Sequence, residues 1–69
     1  MSAYKVVEII GSSPESWEAA AKTAILEAAK SIRHLRVAEV SQLDVHLSED
    51  GQVVEYRARL KVSLKHETE

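Results

Sequence analysis

The sequence predicts an α+β domain of order β-α-β-β, with one helix against a three-stranded antiparallel sheet. Three observations predict it. A β-branched run, Tyr4 to Ile10, stops at Gly11-Ser12-Ser13-Pro14. An apolar stripe of helical period follows it. Two long strand-like segments, Arg36–Leu47 and Gln52–His66, then flank the turn Ser48-Glu49-Asp50-Gly51.

Strand one carries apolar residues on both parities, Val6 and Ile10 on one and Val7 and Ile9 on the other. Such a strand is expected to be covered on both faces, the second by another subunit. Ser13 is the expected N-cap and Pro14 the expected first helical residue, where a missing amide costs nothing. The helix is expected from about Pro14 to about His34. Its stripe is Trp17, Ala20, Ala21, Ala24, Ile25, Ala28, Ile32 and Leu35. Alanine dominates the stripe, so the helix can lie close to a sheet. Trp17 is expected to anchor the core. Lys30, Arg33 and His34 suit the negative end of the helix dipole.

In strand three, Val54, Tyr56, Ala58, Leu60, Val62 and Leu64 alternate with polar residues, which predicts one packed face and one polar face. No Gly or Pro interrupts it, so it can be central. The expected order is one, three, two. Gly51 is free to take the positive φ of a turn. The polar tail His66–Glu69 is expected to fray.

The 69 residues are read as a single domain, 1–69. A chain this short hides only about 60% of its unfolded surface. The usual remedies are disulfides, a metal or oligomerisation. The chain has no Cys, and His34, His46 and His66 lack zinc-ligand spacing. Oligomerisation is left. Geometry adds to it: hairpin arms of roughly 40–45 Å outrun a helix of about 30 Å. Long bare edges invite uncontrolled association unless paired, and a closed symmetric assembly pairs them.

Net charge is -2, with no basic cluster, so nucleic acid is not an expected partner. No apolar stretch approaches the ~20 residues of a membrane span, and no signal-peptide pattern is visible. A cytoplasmic location is expected. No triad, phosphate loop or dinucleotide fingerprint is present, and the two glycines are isolated. A non-enzymatic role is therefore expected.

Taken together, Tyr4-Lys5-Val6-Val7-Glu8-Ile9-Ile10-Gly11-Ser12-Ser13-Pro14, Ser16-Trp17-Glu18 and the segment Arg33 to Val40 resemble the dodecins. The resemblance covers Tyr4 to about Lys65. It implies a sheet wrapped around its helix and a hollow homododecamer that binds and stores a small ligand. In flavin-type members, isoalloxazine rings stack between Trp side chains of neighbouring subunits. Val37 stands at the position matching that Trp, and Arg57 where those members usually have Gln. Stacking of this kind is worth about 0.5–1.5 kcal/mol per aromatic pair beyond burial, which Val cannot supply. Arg only donates, so it does not mimic a Gln that also accepts.

The chain is more similar to the subgroup that lacks the Trp, for which calcium is an implied ligand; FMN or riboflavin, held weakly in the altered pocket, is the first expectation, and a cation-binding or structural shell without flavin is the alternative. Calcium takes six to eight oxygens. Glu39 and Asp44, on the strand bordering the flavin-type pocket, are the candidate carboxylates, with copies completing the shell. Glu49-Asp50-Gly51 is read as a plain turn. Lys5, Arg57, Arg59, Lys61 and Lys65 are expected to form a cationic patch on one sheet face, where an anion could collect. The candidate ligand-site residues are thus Val37, Arg57 and Lys5, with Glu39 and Asp44 for a metal and none for catalysis.

Overall fold

The computed structural model describes residues 2–66. Strand β1 is Ala3–Ser13, helix α1 is Trp17–Ala29, strand β2 is Leu35–Leu47 and strand β3 is Val53–His66. The sheet order is β1-β3-β2, and β3 pairs antiparallel with both neighbours. Order and class match the sequence expectation. Of the tail, residues 67–69 lie outside the described residues.

The helix is shorter than expected at both ends. Ser13 remains in β1, opposite Tyr56, and its Oγ accepts from Glu15 N at 3.0 Å. Pro14 therefore sits in the turn, outside the helix. Ser16 is the N-cap instead: its backbone is extended and its Oγ accepts from Ala19 N at 3.0 Å. At the far end Lys30 N and Ser31 N reach back to Glu27 O and Ala28 O, a tightening turn that ends the helix. Ile32 and Leu35 thus lie beyond it, and His34 takes a left-handed φ of 64° on entering β2. Replacing Ser16 with Ala is expected to cost about 1 kcal/mol, read as a lower urea midpoint at fixed protein concentration.

The sheet has a helix side and an outer side. Directly opposed antiparallel residues share a face. On the helix side, Val7 faces Val62, Ile9 faces Leu60 and Gly11 faces Ala58. Ala20 and Ala24 bury themselves against this row, with Ala58, Leu60 and Val62, and Ala28 is buried further along α1. Leu60 and Val62 are the largest fully buried side chains. Each contributes roughly 1.5–3 kcal/mol by leaving water.

Gly11 decides how close the helix comes. A Cβ there would lie 2.1 Å from Ala20 O and 2.7 Å from Ala24 Cβ. The stripe of small residues on α1 and the missing side chain on β1 bring two backbones into near contact.

Strand β2 is not a simple alternation. Its register against β3 shifts between Leu35 and Val37, between Val40 and Gln42, and between His46 and Leu47. Each bulge adds a residue and resets the face. The first two place Leu35, Ala38, Val40, Leu43 and Val45 on the helix side. Leu47 passes to the other side, opposite Val53, and so leaves the parity it shares with Leu43 and Val45 in the sequence.

The helix lies over β1 and β3 and touches β2 least. A 13-residue helix is about 20 Å long, whereas the subunit extends 55 Å. Val40 and Leu43 are consequently exposed although they face the helix side. Strand β1 is also covered on one side only: Val6 and Ile10 remain 58% and 55% exposed. The hairpin turn is as expected, with Gly51 at φ 82°, Gly51 N donating to Ser48 O, and Ser48 Oγ bonded to Asp50.

Candidate functional site on the outer sheet face

The outer face is a set of cross-strand rows. Ser63 stands between Val6 and Val37, Lys61 between Glu8 and Glu39, and Arg59 between Ile10 and Gln42. Arg57 stands between Ser12 and Asp44, and Glu55 beside His46. Arg57, Arg59, Lys61 and Lys65 do share this face through the unbroken alternation of β3. Lys5 does not join them. It opposes Leu64 on the helix side, one parity away from Tyr4 opposite Lys65. The expected cationic patch loses Lys5 for that reason. Asp44 pairs with Arg57, and Glu8 and Glu39 stand opposite Lys61, so the face carries both signs of charge.

Of the candidate ligand-site residues, the structure brings Val37, Glu39, Asp44 and Arg57 to one face. Val37 is 62% exposed and its carbonyl accepts from Ser63 Oγ at 3.3 Å. No aromatic side chain is on its row, which holds Val6 and Ser63. An open cleft of about 290 Å³ lies beside it, lined by Ile25, Leu35, Arg36, Val37, Ala38 and Val62. It is an apolar slot between the end of α1 and the part of β2 that α1 leaves bare.

Asp44 is engaged rather than free. Arg57 Nε donates to Asp44 Oδ1 at 2.6 Å and Arg57 Nη2 to Asp44 Oδ2 at 2.9 Å. This fork-to-carboxylate geometry is the strong form of the contact. It holds the Asp44 carboxyl below the usual carboxylate range, with Arg59 adding to the effect, and raises Arg57 further. Glu39 lies opposite Lys61. Among the described residues, no three His, Asp or Glu side chains converge to hold a metal within one subunit.

Two features were missed by sequence reasoning. Trp17 is not sealed in the core. It is partly exposed, its Nε1 donates to Asp44 O at 2.9 Å, and its ring meets Tyr56 edge-on at 5.1 Å. It ties the first turn of α1 to β2. No pattern in the sequence links residues 17 and 44. The second is the close approach at Gly11, for which there was a signal: a glycine within a β-branched strand, followed by an alanine-rich helix.

A family profile described as Dodecin matches residues 3–67. The chain belongs to the dodecin family. A calcium dodecin from Mycobacterium tuberculosis is 46% identical over 65 residues, covering 94% of this chain and 90% of that protein. The crystal structure of the M. tuberculosis calcium dodecin, a calcium-chelating antigen with a novel calcium-binding site, superposes with a TM-score of 0.82 at 43% identity. It covers 94% of this chain and 91% of that one. The Thermus thermophilus protein tt0972 superposes with a TM-score of 0.89 at 38% identity over all of both chains. The β-α-β-β subunit is thus a dodecin subunit. No helix among the described residues of this dodecin is long and apolar enough to cross a membrane.

Proposed function

We propose that this dodecin is a non-enzymatic, homododecameric binding and storage particle whose flavin-type pocket is weakened by Val37. The observation that carries it is the unfinished subunit. Tyr4, Val6 and Ile10 on β1, and Val37, Val40 and Leu43 on β2, are large apolar residues left in water. Apolar area of this extent around a small core calls for copies to cover it. Val37 and Arg57 mark the ligand pocket, with a Val where an aromatic plane would stack and an Arg already held by Asp44.

A second reading, calcium or another divalent cation as the ligand, is favoured by the likeness to the M. tuberculosis calcium dodecin. A single subunit gathers no cluster of three carboxylates or imidazoles among the described residues. Carboxylates and carbonyls from several copies would have to form the shell, with Glu39 the freer of the two candidates. A cytoplasmic location belongs to the same proposal.

The test is a light-scattering mass followed by titration of FMN and riboflavin, read as quenched flavin fluorescence. The expected result is a mass near twelve subunits with weak quenching, and Val37→Trp should strengthen quenching at least tenfold. A monomer mass, or tight quenching by the wild type, overturns the reading. Loss of thermal stability with a chelator, regained with calcium, supports the cation as ligand, because a ligand of the assembled state stabilises it by mass action.

A further inference from the structure

The outer face holds one side-chain pair in which a potential cation ligand is already occupied. Both Asp44 oxygens accept from one guanidinium, at 2.6 and 2.9 Å. The Asp44 backbone is held from the opposite side of the sheet by Trp17 Nε1 at 2.9 Å, so the residue is fixed through its carbonyl as well as its carboxylate. Arg59 lies on the same face, two residues along β3, and adds positive field. We infer that Arg57 is a specificity-determining residue that closes Asp44 to divalent cations, an inference resting on the ligand-binding reading above.

The chemistry follows from charge and geometry. A divalent ion at Asp44 must displace a bidentate guanidinium and then sit in the positive field of Arg57 and Arg59. Guanidinium cannot yield by losing its proton at any ordinary pH. The guanidinium takes one lone pair of each Asp44 oxygen, so a cation could not chelate both oxygens from that side. Glu55, two residues before Arg57 on the same face, stands diagonal to Asp44. Without the guanidinium, Asp44 and Glu55 would present two carboxylates on adjacent rows, with His46 Nδ1 3.6 Å from Glu55 as the remaining neighbour. Arg57 therefore decides whether this part of the face is a neutral, self-satisfied surface or a cation site.

The test uses the assembled protein with calcium chloride as the probe. Arg57→Gln should gain a calcium-dependent rise in melting temperature beyond any shown by the wild type. The double variant Arg57→Gln/Asp44→Asn should lose that gain. Trp17, the only indole in the chain, reports on the wild type directly, because it is bonded to Asp44. Calcium at millimolar concentration should leave its emission unmoved. An Arg57→Gln variant that assembles yet gains nothing overturns the inference, as does a calcium-induced shift of Trp17 emission in the wild type. If Arg57→Gln fails to assemble, the wild-type emission decides alone. A wild type with no calcium response in melting temperature sinks the cation reading above and leaves this inference standing, since the gain in Arg57→Gln is measured separately.

Discussion

Replacing Gly11 with Ala is expected to destabilise the subunit by about 3 kcal/mol or more, at the upper end of what overpacking costs. The added Cβ would overlap the Ala20 carbonyl and crowd Ala24. The neighbours are backbone and an alanine, which have no rotamer to offer, so the only relief is to lift α1 off the sheet. Lifting it would expose Leu60 and Val62. Against a total stability of 5–15 kcal/mol typical of domains, the loss is large. Urea unfolding followed by far-UV circular dichroism, at fixed protein concentration, checks it. A midpoint within error of the wild type would show that the close approach is not a constraint.

Replacing Leu60 with Ala is expected to cost 2–5 kcal/mol, the range for emptying a large aliphatic site in a core. Leu60 is 1% exposed and lies on the central strand opposite both Ile9 and Val40. Its surroundings on the helix side include alanines, which cannot reach in to fill the hole, so collapse is limited. The same urea experiment measures it. A loss under 1 kcal/mol would mean that α1 slides down to close the cavity.

Much of this fold was legible in the sequence because its signals are local. The alternation of strand three, the turn at Gly51 and the β-branched run of strand one each rest on neighbouring residues. Sheet order followed from strand three having no breaker and from the crossover after strand one. The helix start was misjudged because Ser13 competes for two roles. Its pairing with Tyr56 in the ladder wins, and Ser16 caps instead. The parity of strand two was not legible, because the bulges that set it are relations between strands.

The candidate site was legible in part. Val37, Glu39, Asp44 and Arg57 do share a face. Lys5 was grouped with the cations by charge alone, while register places it opposite Leu64 on the other side. The grip of Arg57 on Asp44, and that of Trp17 on the same residue, depend on contacts 13 and 27 residues apart, which no local pattern encodes.

The sheet order has a consequence for how the chain is made. Strands β1 and β2 never pair with each other, and each finds its partner in β3. That strand is the last of the four elements to leave the ribosome. Ala3 waits for His66, and Leu35 for Leu64. Until Val53–His66 has emerged there is no ladder for either waiting strand to join, and α1 has no sheet to rest on. Folding of this subunit therefore waits for β3, and its long-range pairings make it slower than a helical bundle of the same size. Stalling synthesis before β3 would leave a nascent chain with two unsatisfied strands and nothing native to hold them.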